Sequence, residues 1–348
     1  MTETRILLDT NVWNYLSDHA DAATLATAAR KGRVTIILAP AVVYESLAIN
    51  DTRKLRARSQ LLSDHRWKRL MPEAYSESQE VLSQVRELRR EWLLAKPPKG
   101  EFQRLYRDWR RNGTGFWARL RTNPELVSGH IRQLQQEILE HARDETKAVR
   151  KSQVDNKYPV WKVPLNTYVT EVSKELGADE QISVAAWRRD ALSFWTFHLR
   201  GLTDQPTPLE NRGGYVDWLS GELDFGKAKK SAMSWYRFWL IDVTDNAMPR
   251  AWLRWASGLL QQFSGWSRGT PGDNQLSTYM MDADWFITAD VGLHRIVQKL
   301  HTDAPFPVAL PLLIGADEVG ATAALNAITN GGAPVAVEPT DHTDSDLA

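Results

Sequence analysis

Four acidic residues, Asp9, Glu45, Asp273 and Asp290, combine residue types and positions that could support a reaction. Each of them stands at or near a place where a predicted strand ends or a predicted helix begins. Carboxylates that lie within several ångströms of one another repel, so that either some bind protons or a cation lies among them. Ligation by oxygen alone suits Mg²⁺ or Mn²⁺. We therefore expect these acids to bind one of these two ions.

The first acid follows a predicted buried strand. Residues 6–8, Ile-Leu-Leu, form an uninterrupted apolar run that ends at Asp9, and Thr10 or Asn11 can cap the helix predicted at residues 12–31. In open parallel sheets, ligands bind beyond the carboxyl ends of the strands. Asp9 is therefore a candidate site residue, although considered alone it also fits a simple helix cap.

The other three acids are predicted to reach the same edge of the sheet. After a second strand at residues 34–38, a helix carries Glu45 just over one turn from its start, among apolar neighbours. Asp273 opens a helix predicted to end at residue 281, and Asp290 follows a strand at residues 285–288. Because a helix that joins parallel strands begins at their carboxyl edge, all four acids should meet there.

Two neighbouring acids are rejected as primary ligands. Asp282 and Asp284 precede the strand at residues 285–288, so they fall at its amino end, on the order of 15 Å from the other acids. Beyond this strand, the pattern predicts a last strand at residues 308–314, placed at a sheet edge by its prolines, and a helix at residues 317–329.

The predicted fold class is α/β, with a central parallel sheet flanked by helices and interrupted by a large, all-helical, Trp-rich insertion. Of 15 tryptophans, 12 lie between Trp92 and Trp266, where they could fill space between helices or stack on bases. The predicted units are residues 1–95 and 269–329 for the two parts of the α/β domain, 96–268 for the insertion and 330–348 for a disordered tail. The clearest helices of the insertion are residues 101–111, 124–151, 179–202, 227–243 and 249–263.

Composition excludes several classes of site and partner. The 348 residues contain no cysteine, which rules out disulfides, zinc–thiolate sites and a thiol nucleophile, and which fits a reducing cytoplasm. Basic and acidic residues number 43 each, so net charge gives no sign of a polyanionic partner. The sequence has neither a signal peptide nor an apolar run of transmembrane length, and no membrane partner is expected.

One stretch is nevertheless strongly basic. Between residues 52 and 69, seven lysines and arginines face a single acid, Asp64. The basic residues nearest to Glu45 in sequence are the candidate substrate-binding residues Arg53, Lys54, Arg56 and Arg58. They could bind the phosphates of a substrate, or they could simply form a solvated helix face.

The sequence resembles the PIN domain family of metal-dependent ribonucleases over residues 4–95 and 269–314. The matching segments are ILLDTNVW, VVYESLA and GDNQLSTYMMDADWFITADVGL. The resemblance implies that Asp9, Glu45, Asp273 and Asp290 are catalytic metal ligands and that Asn11 and Thr288 support them. Family members often carry another acid after the Thr-x-Asp motif, where this chain has Val-Gly, so the number of metal ions stays open. The insertion is far longer than the usual connection in the family.

The resemblance implies a metal-dependent endoribonuclease of the toxin or defence type, in which a metal-activated water attacks the RNA phosphodiester. We expect a cytoplasmic enzyme with RNA as its substrate. The insertion is expected to clamp the substrate or to dock an inhibitor or recruiting protein, and the oligomeric state stays open. Two alternatives remain: a nuclease acting on DNA or flap structures, and an inactive PIN-like scaffold that binds nucleic acid or a partner through the insertion.

Overall fold

The structure is a computed structural model. It describes residues 3–97, 99–133, 159–177, 181–200, 214–264 and 270–332. Two predictions fall largely outside these stretches. The helix predicted at residues 124–151 is helical as far as residue 133, where the described stretch ends, and the tail predicted at residues 330–348 is described only to residue 332.

The first part of the chain alternates strands and helices. Its elements are β1 (Thr4–Leu8), α1 (Thr10–His19), α2 (Ala22–Gly32), β2 (Val34–Leu38), α3 (Pro40–Leu47), α4 (Thr52–Leu62), β3 (Lys68–Arg69) and α5 (Glu73–Leu88). The single helix predicted at residues 12–31 is wrong, because two helices occupy this stretch. The Asp21 carboxylate starts the second one by accepting a hydrogen bond from the Thr24 backbone N–H at 2.7 Å.

The middle of the chain is mostly helical, but the prediction of an all-helical insertion is wrong. Its elements are α6 (Lys99–Arg110), α7 (Phe116–Thr122), β4 (Val169–Val172), β5 (Ile182–Ala185), α8 (Ala186–Arg200), α9 (Tyr215–Ser220), α10 (Phe225–Lys229), α11 (Ala232–Arg237) and α12 (Pro249–Gln262). Strands β4 and β5 pair in antiparallel fashion. They are rich in β-branched residues, which favour strands, and the helix predicted at residues 179–202 therefore begins only at Ala186.

Shorter helical segments complete this region. The helix predicted at residues 227–243 is divided, because the Ser231 side chain starts α11 by accepting a hydrogen bond from the Ser234 backbone N–H at 3.1 Å. A π-helical segment, Phe238–Asp242, follows directly. The 3₁₀ turns are Arg90–Trp92, Leu165–Thr167, Lys174–Leu176 and, later in the chain, Met280–Asp282.

The last part of the chain returns to alternating helices and strands. Its elements are α13 (Thr270–Ser277), β6 (Trp285–Thr288), α14 (Val291–Asp303), β7 (Leu310–Leu313) and α15 (Asp317–Thr329). The predicted bounds of β6 and α15 are confirmed. Helix α13 begins before its predicted start, so that Asp273 lies within its first turn.

One sheet joins the first and last parts of the chain. Its strand order is β3-β2-β1-β6-β7, and all four pairings are parallel. The predicted parallel sheet and the edge position of the last strand are confirmed. At the centre, Leu8 of β1 is in register with Ile287 of β6, so the two strands end side by side.

The tryptophans of the middle region fill the protein core. The most deeply buried of them, each at most 1 % exposed, are Trp117, Trp187, Trp195, Trp239 and Trp252. Trp195 and Trp239 stack with ring centroids 6.1 Å apart, and rings buried in this way cannot stack on nucleic acid bases. These tryptophans belong to the same hydrophobic cluster as the strands β1 and β2. Within the described stretches, every helix is too short or too polar to cross a membrane.

Candidate functional site

The structure places Asp9 and Asp290 at the same edge of the sheet. Both residues follow the carboxyl ends of neighbouring parallel strands, β1 and β6. The Asp9 backbone N–H continues the ladder by donating to the Ile287 carbonyl at 2.9 Å. Each aspartate also begins a helix, because its side chain accepts a backbone hydrogen bond, from Thr10 at 2.6 Å for Asp9 and from Leu293 at 2.8 Å for Asp290.

Thr288 connects these two aspartates. Its hydroxyl donates to Asp9 Oδ2 at 2.8 Å and accepts from the Asp290 backbone N–H at 2.9 Å. The Asn11 side chain also forms a hydrogen bond with the Asp9 carboxylate. Both residues named as supporting positions therefore contact Asp9, and Thr288 fixes the spacing between the ends of the two central strands.

Glu45 reaches the site from α3. Its Oε2 accepts a hydrogen bond from the Thr10 hydroxyl at 2.7 Å, which ties α3 to the start of α1. The backbone at the start of α13 lies close to the same oxygen, since a Cβ added to Gly272 would stand 3.4 Å from it. The next residue, Asp273, is thereby held beside Glu45.

The electrostatics of the site show that the acids repel one another. Burial raises the pKa of Asp9 to about 6 and the pKa of Glu45 to about 7, and the Asp290 charge adds to both rises. Burial also raises the pKa of Asp273 to about 8, with further contributions from Glu45, Asp9 and Asp290. The four side chains therefore interact through space, although they come from four separate elements of the fold.

The described part of the chain supplies no ion-pair partner for these charges. Among the residues that the structure describes, no lysine, arginine or histidine forms an ion pair with Asp9, Glu45, Asp273 or Asp290. A group of neighbouring carboxylates, one buried and three half-buried, without ion-pair partners is chemically suited to a divalent cation with a preference for oxygen ligands.

The four carboxylates are not arranged around one shared position for a metal ion. Within the described stretches, no three Asp, Glu or His side chains lie where they could hold one metal ion together. Oxygens of Asp9, Glu45 and Asp290 instead accept hydrogen bonds from protein donors. Carboxylate oxygens are of the type that Mg²⁺ or Mn²⁺ prefers, but ligation would require these side chains to rotate.

Three of the predicted substrate-binding residues lie on the outer part of α4. Arg53 is exposed. Lys54 pairs with Asp18 at 3.4 Å, and Arg56 pairs with Glu125 at 2.8 Å. The contacts of Lys54 and Arg56 thus involve surface carboxylates and not the four acids of the site.

Arg58 is placed differently from the other three basic residues. It is half-buried, and its guanidinium donates to the backbone carbonyl of Ser46 at 3.2 Å. Ser46 is the neighbour of Glu45 on α3, so Arg58 contacts the backbone of that helix beside the acidic site. Burial lowers the pKa of Arg58.

Sequence reasoning missed three residues at this edge of the sheet. Thr10 was considered only as a helix cap, yet it donates to Glu45, and Gly272 permits close approach to the same carboxylate. Glu73 follows β3 and accepts a hydrogen bond from the Tyr279 hydroxyl at 3.3 Å. Its position at the start of α5, four residues after β3, was the one available signal in the sequence.

The two acids rejected as primary ligands are paired with arginines. Asp284 accepts from the Arg5 side chain at 2.8 Å, at the start of β1, and Asp282 accepts from Arg250 at 2.9 Å. Both carboxylates therefore have counter-charges that the four buried acids lack.

Comparison with known proteins adds no further identification. No protein family, curated protein or solved structure matches the chain.

Proposed function

We propose that the protein is a metal-dependent endoribonuclease with Asp9, Glu45, Asp273 and Asp290 as its metal-binding acids. The observation that carries this proposal is the gathering of these carboxylates, with Asp9 buried and the other three half-buried, from four separate elements and without an ion-pair partner among the described residues. Bringing together charges that repel lowers stability, so such a cluster is best explained by a cation that binds there.

The residues of the site divide into two pairs. Asp9 and Asp290 are linked by Thr288 and follow paired strands, so they form the rigid pair that positions the metal ion. Glu45 and Asp273 lie on helices that meet beside Gly272. When bound, the cation supplies polarisation of the phosphodiester and activation of the attacking water. The four carboxylates would hold it, and binding would displace protons mainly from Glu45 and Asp273, because burial raises the pKa of these two acids to about 7 and about 8.

The choice of RNA, and the toxin or defence role, rest on the resemblance to PIN domain ribonucleases. The segments ILLDTNVW, VVYESLA and GDNQLSTYMMDADWFITADVGL carry the four acids in the order of that family. We infer a cytoplasmic enzyme in which the middle region docks an inhibiting or recruiting protein.

Cleavage of a fluorogenic single-stranded RNA in Mg²⁺ or Mn²⁺, and in EDTA, tests the proposal. Wild type should cleave only with metal, and the double variant Asp9→Asn with Asp290→Asn should lose at least about 100-fold in rate. Asp284→Asn is the matched control, because it removes an aspartate at the opposite edge of the sheet. Equal metal-dependent cleavage by wild type and the double variant would overturn the proposal. Cleavage of a flapped DNA, measured in the same way, tests whether the substrate is RNA or DNA.

A further inference from the structure

Two arginines from distant parts of the chain meet beside the edge strand β3. Arg69 is buried, and its guanidinium donates to the carbonyls of Ser63 at 2.7 Å and Asp64 at 3.2 Å and to the Asn112 side chain. Arg121 of α7 donates to the same Ser63 carbonyl at 3.2 Å and to the Asn112 carbonyl. Two positive charges thus share neutral acceptors.

Neither arginine forms an ion pair with a described carboxylate, although the charge of Asp64 partly offsets that of Arg69. The nearby acid Asp64 is paired with Arg66 at 2.7 Å. Burial lowers the pKa of Arg69 to about 10, and the charge of Arg121 lowers it further. The two guanidinium groups therefore repel each other, and an anion bound beside them would relieve this repulsion.

A groove of about 890 Å³ opens beside this pair. The side chains that line it include arginines, hydroxyls and amides, namely Arg56, Ser59, Gln60, Asn112, Arg121 and Thr122. Two acids also line it, and each is paired with an arginine, Glu125 with Arg56 and Asp64 with Arg66. These are the side-chain types that commonly contact the phosphates of nucleic acids. Since the groove includes residues 63–65, which precede β3, it lies towards the amino end of that strand, whereas the four acids lie at the carboxyl edge.

We propose that this groove is a second nucleic-acid site, which binds the phosphate backbone of single-stranded RNA through Arg121, with Arg69 beneath it. The choice of RNA rests on the proposed function, whereas the preference for a phosphate polymer rests on the unpaired guanidinium groups and the hydroxyl and amide lining. The middle region of the chain thereby contributes to substrate binding, because α7 and Asn112 belong to it.

The test compares two arginines of one helix by fluorescence anisotropy with a labelled single-stranded RNA in EDTA, where no cleavage is expected. Arg121→Ala should raise Kd about 5- to 20-fold, and should reduce the dependence of log K on log salt by about 0.7. Arg119→Ala is the matched control, because the Arg119 guanidinium is already paired with both oxygens of Asp108, at 2.9 and 2.8 Å. Its Kd should stay within about two-fold of wild type.

Two further arms keep the test decisive if Arg121→Ala unfolds. Arg121→Lys keeps the positive charge but loses the planar guanidinium with its fixed set of hydrogen-bond donors, so its Kd should lie between those of wild type and the alanine variant. Polyglutamate of equal charge should compete poorly, and competition equal to that of RNA would overturn the assignment to a phosphate polymer. Equal Kd values for wild type, Arg121→Ala and Arg121→Lys would also overturn it.

The experiments can refute the proposed RNA-binding groove and the proposed nuclease activity independently of each other. RNA binding in EDTA that depends on Arg121, without metal-dependent cleavage by wild type, supports the groove and refutes the nuclease. Cleavage that depends on Asp9 and Asp290, with Kd and KM unaffected by Arg121→Ala, refutes the groove and leaves the nuclease standing.

Discussion

Replacing Asp273 with asparagine should stabilise the metal-free protein, although it alters a residue of the proposed metal site. The carboxylate accepts no hydrogen bond among the residues that the structure describes, so an isosteric amide loses none there. Burial raises the pKa of Asp273 to about 8, and repulsion by Glu45, Asp9 and Asp290 contributes to the rise. The charged form is therefore disfavoured in the folded chain.

The magnitude follows from this pKa. The ordinary pKa of an aspartate is 3.8, and one pKa unit corresponds to about 1.4 kcal/mol. At pH 7 the folded protein must take up a proton that the unfolded chain does not carry, which limits the destabilisation to about 4 kcal/mol. Water entry and sharing of the repulsion among the acids reduce this value, so we expect Asp273→Asn to raise the free energy of unfolding by about 1 to 3 kcal/mol.

Urea unfolding in EDTA, followed by tryptophan fluorescence, measures this gain. Because the folded pKa lies above the unfolded one, wild type loses stability relative to the variant as the pH rises from 3.8 to about 8. The gain should therefore be largest near the upper end of this window and should disappear near its lower end. Added Mn²⁺ should stabilise wild type more than Asp273→Asn, because the variant lacks one ligand.

Asp282→Asn is the matched control, for which we expect the opposite change in the free energy of unfolding. The Asp282 carboxylate accepts from both terminal nitrogens of Arg250, at 2.9 and 3.1 Å, so its loss leaves a buried guanidinium with less compensation. This variant should be less stable than wild type at pH 7. A loss of stability for Asp273→Asn in EDTA, or a gain that is the same at pH 5 and pH 8, would refute the electrostatic reasoning.

Three other predictions concern the site and the core. Thr288→Val removes the hydroxyl between Asp9 and Asp290, and should lower the free energy of unfolding by about 1 to 3 kcal/mol in urea titrations and slow RNA cleavage. Affinity for Mn²⁺ should rise between pH 6 and pH 8 in calorimetric titrations, with proton release, because the raised pKa values mean that the acids must lose protons before they bind. Trp239→Ala should cost about 3 to 5 kcal/mol in urea unfolding, since this fully buried ring stacks on Trp195.

Two strands of the sheet were predictable because they are short and largely apolar, whereas β3 consists of Lys68 and Arg69. Residues 34–38 and 285–288 are buried by helices on the sheet faces, so hydrophobicity alone identifies them, and their bounds agree with the structure. The strands β4 and β5 were missed for the opposite reason. Their burial is irregular, and the apolar pattern of α8 extends into the same stretch of sequence.

The placement of the acidic site was predictable where one topological rule decides it. Asp9 and Asp290 follow parallel strands, so the shared edge of the sheet brings them together. The contacts of Thr10 and Gly272 with Glu45 depend on how α3 and α13 pack, which no local pattern specifies.

The arginine pair is the clearest case of what the sequence could not provide. Arg69 and Arg121 are 52 positions apart and share the Ser63 carbonyl only because α7 packs beside the edge strand. The basic stretch at residues 52–69 drew attention to Arg56, which pairs with Glu125, whereas the arginine that meets Arg121 is its last residue. A run of charges in sequence does not show which of them will find carboxylate partners.

The most direct test of the central claim is an anomalous difference map from crystals of the full chain grown with Mn²⁺. We expect one peak or two at the carboxyl edge of the sheet, with carboxylate oxygens of Asp9 and Asp290 at about 2.1 Å and with Glu45 and Asp273 rotated towards the ion. Crystals of the Asp9→Asn, Asp290→Asn variant should lack the peak. A fully occupied Mn²⁺ position elsewhere, with these four carboxylates unchanged and free of metal, would contradict the account.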